Sequence, residues 1–201
     1  MKIEGFDTMP VITISREYGA GGSSVAKELS ERLGLPWYDN DFVKITASES
    51  GYSEEEILEE GEEISEWGRF LDSILNNSAA YTSSHDAIFE AQKKTMLELA
   101  QSPCIIVGRC GNIILKEAGI PSFDIFLYAD KSIRIERSKQ LVDKTGDALI
   151  KYVEKRDSLR ENYYKAYTKE NMAKAQDYNI CLDTGVISYS ACVDIIAGLL
   201  S

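Results

Sequence analysis

Three glycines and two serines crowd residues 19–24, inside the run VITISREYGAGGSSVAKELSERL that spans 11–33. An apolar strand that delivers Gly19, Gly21 and Gly22 into a helix N-terminus lets backbone N–H groups close around a phosphate, and the helix dipole favours the negative charge. The run departs twice from the G-x-x-x-x-G-K-S/T phosphate loop: Arg16 stands at its first glycine position and Gly22 at its lysine position. The residues therefore support phosphate binding more strongly than phosphoryl transfer.

Moving a phosphoryl group requires positioning and positive charge, so arginines near strand ends and lids are the residues to seek. Arg109 directly follows the apolar run 104–107, at a carboxyl strand edge where open α/β sheets bind ligands. Arg134 and Arg137 follow an Asp130 N-cap at a spacing that puts both on one side of a helix, and Asp157 and Arg160 repeat that spacing. Arginine offers a planar fork that grips phosphate bidentately. Arginines so spaced are usually surface charges; Arg109 stands apart because its strand edge should share the sheet end of the glycine turn. His85, the only histidine, reads as a surface residue near a helix start, and no nucleophile triad is identifiable. Tyr152, Tyr163, Tyr164 and Tyr167 read as packing residues rather than base-stacking platforms.

The elements that must position these groups are legible in outline. Apolar runs at 10–14, 36–39, 104–107, 125–129 and 179–182 are continuous rather than alternating, which suits strands of a parallel sheet covered by helices on both faces. Val25, Ala26, Leu29 and Leu33 form one apolar helix face, and Cys192, Ile195, Ile196, Leu199 and Leu200 another. Two stretches read as inserted into this α/β core. Residues 51–100 open on a Ser53-Glu54-Glu55-Glu56 capping signature, continue glutamate-rich and become amphipathic from Asp86, as a helical lobe would. Residues 138–176 mix arginines, lysines and tyrosines, and one reading of them is a mobile lid.

At 201 residues the chain fits a single domain, 1–201, with a substantial core. Twenty-two basic against 33 acidic residues give a net charge of −11, which argues against a nucleic-acid polymer as partner but not against a small nucleotide. Cys104, Cys110, Cys181 and Cys192 lie in or beside apolar runs without C-x-x-C spacing, as reduced thiols in a cytoplasm would. No apolar stretch approaches the ~18 residues needed to cross a bilayer, so no membrane partner is expected. Oligomeric state is not legible.

Taken together, ITISREYGAGG with WYDND, IIVGRCG, DIFLYAD with Ile133 to Arg137, RDSLRENYYKAYT and YNICLDTG resemble the cytidylate kinase-like family, a branch of the P-loop nucleoside monophosphate kinases. The resemblance implies a P-loop kinase-like fold: a parallel five-stranded sheet covered by helices, with a helical acceptor lobe at 51–100 and a lid at 138–176. It implies ATP and Mg²⁺ as cofactors and small nucleotides as partners. Gly19, Ala20, Gly21, Gly22, Ser23 and Ser24 match the donor-phosphate loop, with Ser24 where a hydroxyl helps hold Mg²⁺. Arg109 matches an arginine that holds the acceptor monophosphate, Arg134 and Arg137 match arginines near the donor triphosphate, Asp157 and Arg160 face the cytidine nucleotide, and Asp39 lies near the acceptor lobe.

Arg16, Arg109, Arg137 and Arg160 are then the expected catalytic residues. Arg16, at the entrance of the turn, is the expected substitute for the missing loop lysine. Cys110 stands where the family's Gly-Arg-Asp element has its aspartate, and no aspartate ends the third strand, which leaves Mg²⁺ to Ser24 and the phosphates. The expected function is ATP-dependent phosphoryl transfer to a small acceptor, with a nucleoside monophosphate such as CMP foremost. The alternatives are a nucleotide-binding regulatory protein that has lost catalysis and a kinase of another small metabolite.

Overall fold

The computed structural model describes residues 10–39 and 84–200. The capping signature and glutamate run expected within 51–83 lie outside these residues, as does the tail 1–9.

Strand β1 (Val11–Arg16) forms the middle of a five-stranded sheet with β2 (Trp37–Tyr38), β3 (Ile105–Val107), β4 (Ser122–Tyr128) and β5 (Ile180–Asp183). The order is β2-β3-β1-β4-β5 and every pair is parallel, with Ile12 opposite both Ile105 and Phe123. The continuous apolar reading of β1 follows from this central place. Ile12 and Ile14 pack with Val25 and Leu29 of α1 (Gly22–Leu33) and with Cys192 and Ile196 of α6 (Tyr189–Leu200). Val11 and Ile106 pack on the other side with Met96 of α2 (Ser84–Leu99), Ile114 of α3 (Gly111–Glu117) and Tyr164 of α5 (Gly146–Thr168). Burying each large aliphatic side chain contributes roughly 1.5–3 kcal/mol, so the sheet is held from both faces.

β4 begins at Ser122, ahead of the run expected from 125, because it pairs with β1 from Val11 opposite Ser122 to Arg16 opposite Leu127. Asp124 interrupts the apolar run, yet its carboxylate is accommodated by the hydroxyls of Thr13, 2.6 Å, and Ser122, 2.8 Å. Burial pushes its carboxyl up from the ordinary range, and those two hydroxyls pull it back down.

After α4 (Lys131–Ser138), capped as expected by Asp130 accepting from the Ser132 N–H at 2.7 Å, the stretch expected to be a lid is dominated by α5. Its 23 residues span about 35 Å along the axis. Because all strands run the same way, Arg16, Asp39, Gly108 and Tyr128 come to one edge of the sheet, and α5 passes over that edge.

Candidate active site

β1 ends at Arg16 and the chain turns sharply: the Glu17 N–H donates to the Leu127 carbonyl at 3.1 Å and the Ala20 N–H to the Glu17 carbonyl at 3.2 Å. Gly21, at φ +86, caps α1 in the left-handed region with no side-chain cap, so the amides of the first helical turn face the hollow of the turn. The loop is wedged on both flanks. A Cβ on Gly19 would lie 2.7 Å from the Arg134 carbonyl oxygen, and one on Gly21 would lie 2.3 Å from the Tyr189 ring. The expected cradle over 19–24 thus has the shape of an anion site at a helix N-terminus.

On the outer side of this loop the described ionic contacts are matched. The Arg134 guanidinium contacts Asp157 at 2.6 Å and Glu17 at 3.1 Å, and donates to the carbonyls of Ala129 and Tyr18 at 3.0 Å each. Asp157 also accepts from the Tyr18 N–H at 2.7 Å, and Glu17 from the Ala129 N–H at 3.1 Å. Burial pushes the Glu17 carboxyl up, against the Ala129 amide and Arg134. Arg134 is only 6% exposed, so this network ties α4 and α5 to the turn. Arg137 leaves α4 on another course: it donates to the Thr184 hydroxyl at 3.1 Å and carbonyl at 2.7 Å, and lies 4.9 Å from the Tyr189 ring centroid. Thr184 in turn donates to the Ala20 carbonyl at 2.9 Å. The two α4 arginines, read as neighbours on one helix side, reach different partners: Arg134 meets Glu17 and Asp157, Arg137 meets Thr184.

On the inner side lies a cavity, partly open to solvent, whose lining includes Arg16, Asp39, Arg109, Arg160 and Tyr163. Gly108, Arg109 and Cys110 take φ of +83, +57 and +57, three successive left-handed residues between β3 and α3. For Arg109 and Cys110 that conformation costs of order 1–2 kcal/mol each, strain of the kind that collects at functional turns. Arg109 lies 6.0 Å from the Tyr163 ring centroid. Arg160 lies 5.3 Å from the Tyr18 ring centroid and donates to the Arg16 carbonyl at 3.5 Å, so it reaches both the loop and the cavity. Arg156 lies 5.9 Å from the same ring centroid.

Arg16 pairs with Asp39 at 3.2 Å, and the other Asp39 oxygen accepts from the Ser23 hydroxyl at 2.5 Å. The serine that meets an acid is thus Ser23; Ser24, one residue on, is exposed. No cluster of three or more metal-ligating side chains occurs among the described residues. A carboxylate and a hydroxyl beside a phosphate cradle nevertheless fit Mg²⁺, which takes few protein oxygens and keeps its waters. Cys110 is buried, and burial pushes its thiol up to about 12 against a weak pull from Arg109, so it does not supply a thiolate.

The structure therefore brings Arg16, Asp39, Arg109 and Arg160 together at the cavity, and places Gly19 to Ser24 beside it. Arg134 and Asp157 meet each other on the far side of the loop, and Arg137 meets Thr184 and Tyr189. Sequence reasoning missed Glu17, Tyr18 and Tyr189. No local pattern marks Tyr189, whereas Tyr18, directly before the first turn glycine, could have been flagged as a loop-shaping ring.

The strand order, the glycine turn and the covering helices define a P-loop kinase fold. In solved structures the same fold recurs in an uncharacterised protein from Eubacterium ventriosum, TM-score 0.67 at 21% identity, covering 94% of this chain and 96% of that one. It recurs also in a shikimate kinase from Bacteroides thetaiotaomicron, TM-score 0.58 at 14% identity, covering 96% and 99%. The model of the cytidylate kinase-like family matches residues 11–186, and the chain belongs to that family. Among curated relatives, the cytidylate kinase of Methanothrix thermoacetophila is 25% identical over 177 residues, 87% of this chain and 88% of its own. Membership supports a kinase acting on a small substrate. Among the described residues no helix is long and apolar enough to cross a membrane.

Proposed function

We propose that the protein transfers the γ-phosphoryl group of ATP, with Mg²⁺, to a small anionic acceptor of the nucleoside monophosphate class, CMP foremost. The observation that carries this reading is the convergence of Arg16, Arg109 and Arg160 on one cavity beside the glycine turn. The planar fork of each guanidinium suits the bidentate grip that an acceptor phosphate offers.

In the transfer, an acceptor phosphate oxygen forms a bond to the γ-phosphorus while the bond to the β,γ-bridging oxygen breaks, and ADP leaves with that electron pair. The amides of 19–24 hold the donor's outer phosphates, Arg109 fixes the acceptor, and Arg160, at the junction of loop and cavity, faces the charge in flight. Asp39 and Ser23 would hold Mg²⁺, which when bound neutralises charge on the donor phosphates. The α5 roof excludes water, which limits loss of ATP to hydrolysis. Incubating the protein with ATP, Mg²⁺ and a panel of nucleoside monophosphates should yield ADP in proportion to acceptor; no turnover with any of them defeats the reading.

A second reading, a nucleotide-responsive regulatory protein, is favoured by two observations: Cys110 is a buried thiol where the kinases of this family carry an aspartate, and Arg134 is committed to Glu17 and Asp157. Calorimetric ATP binding without turnover across nucleotide and hydroxyl acceptors would select it. Turnover confined to a non-nucleotide acceptor would select the kinase of another small metabolite.

A further inference from the structure

Gly22 poses a question that backbone conformation does not answer. Among this turn's glycines, Gly19 and Gly21 have positive φ, but Gly22 does not; it is the first residue of α1, where any good helix former fits. Glycine there weakens the helix by up to about 1 kcal/mol. What Gly22 does give is room. A Cβ on it would lie 2.8 Å from Cγ of Arg16, 3.1 Å from Cδ and 3.3 Å from Nε. Farther along the same side chain, a Cβ on Gly108 would lie 2.1 Å from Nη1 of Arg16. The arginine stem therefore runs across the face of Gly22, and its guanidinium comes to rest against Gly108, with Nη2 3.2 Å from Asp39.

We propose that Arg16 and Gly22 are two halves of one exchange: Arg16, entering from the end of β1, delivers to the donor's β- and γ-phosphates the positive charge that a lysine at position 22 delivers elsewhere, and position 22 is glycine so that it can pass. The inference rests on the kinase reading and deepens it. A lysine stem at 22 and the observed course of Arg16 need the same space, so the two cations are mutually exclusive. Asp39 holds the guanidinium at the meeting point of β1, β2 and β3, between the glycine turn and Arg109. From there a forked donor reaches both a donor and an acceptor phosphate, which a point charge on a lysine does less well.

The exchange makes a non-additive prediction. Arg16→Ala should lower kcat about 100- to 1,000-fold, the loss typical of a removed charge-stabilising donor, with a smaller change in acceptor KM. Gly22→Lys alone should also be impaired, because its side chain meets Arg16. The double variant R16G/G22K should turn over at least about tenfold faster than R16G alone, as coupled sites do. A second readout does not depend on turnover: Arg16→Ala should weaken the β,γ-imido analogue of ATP about tenfold while leaving adenosine, which carries no phosphate, unchanged, with thermal unfolding confirming that each variant folds. Equal affinity of wild type and Arg16→Ala for the imido analogue, or a folded double variant no faster than R16G, overturns the exchange. A wild type that binds the analogue yet turns over no acceptor defeats the kinase reading instead, and the binding comparison still judges Arg16.

Discussion

The two sides of the glycine turn carry arginines in opposite states. On the outer side, Arg134 is 6% exposed and faces two carboxylates, Glu17 and Asp157. On the inner side, among the described residues, Arg16, Arg109 and Arg160 share one cavity with the single carboxylate of Asp39. One cation among two acids closes on itself and fixes structure. Three arginines lining one pocket can be bridged by a single anion. An arginine in such a fold is therefore assigned by the charges around it, and its position on a helix says little.

This contrast is broken most forcefully at Arg134. Arg134→Ala leaves Glu17 and Asp157 without their shared cation and should cost about 3–5 kcal/mol of stability, read by urea denaturation. A loss below about 1 kcal/mol would show the outer network to be loose. Arg109→Ala should do the converse, lowering kcat/KM at least about 100-fold while costing clearly less stability than Arg134→Ala, since Arg109 sits against the Tyr163 ring rather than between two carboxylates. Comparable stability losses in the two variants would erase the distinction.

Asp157→Asn sharpens the comparison within the outer set. The amide oxygen can still accept from the Tyr18 N–H while Arg134 keeps Glu17 as its one carboxylate, so a loss of about 1–2 kcal/mol, smaller than for Arg134→Ala, is expected from the same denaturation series. The smallest effect concerns Cys110. Its thiol is raised from 9.0 to about 12 by burial, so the protonated form is favoured in the fold. Its contribution to stability is complete below about 9 and is lost as pH rises toward about 12. Native protein at pH 8 should leave Cys110 unalkylated by iodoacetamide, as mass spectrometry would show; modification at the rate of a free thiol would contradict its burial.

Much of this arrangement was legible in the chain. Continuous apolar runs gave away a parallel sheet, because strands buried on both faces have no polar side. The placement of Arg109 followed from its position immediately after such a run. The start of β4 was not legible, since Asp124 looks like a break until Thr13 arrives from β1 to donate to its carboxylate. The fate of Arg134 was hidden for the same reason: Glu17 reaches it only through the sheet's order, and Asp157 only through the fold-back of α5. A spacing of three places two arginines near one another along a helix, but the partners that claim them come from elsewhere. The stretch read as a lid is mostly one long helix, bonded at Asp157 to the turn itself.

Two anion sites side by side at one sheet edge are tested most directly by a crystal structure with ADP and sulfate. The expected result is the β-phosphate of ADP enclosed by the amides of 19–24 and a sulfate between the guanidiniums of Arg16, Arg109 and Arg160. Nucleotide bound away from the turn, or a cavity that excludes sulfate while the outer Arg134 side takes it, would contradict the account.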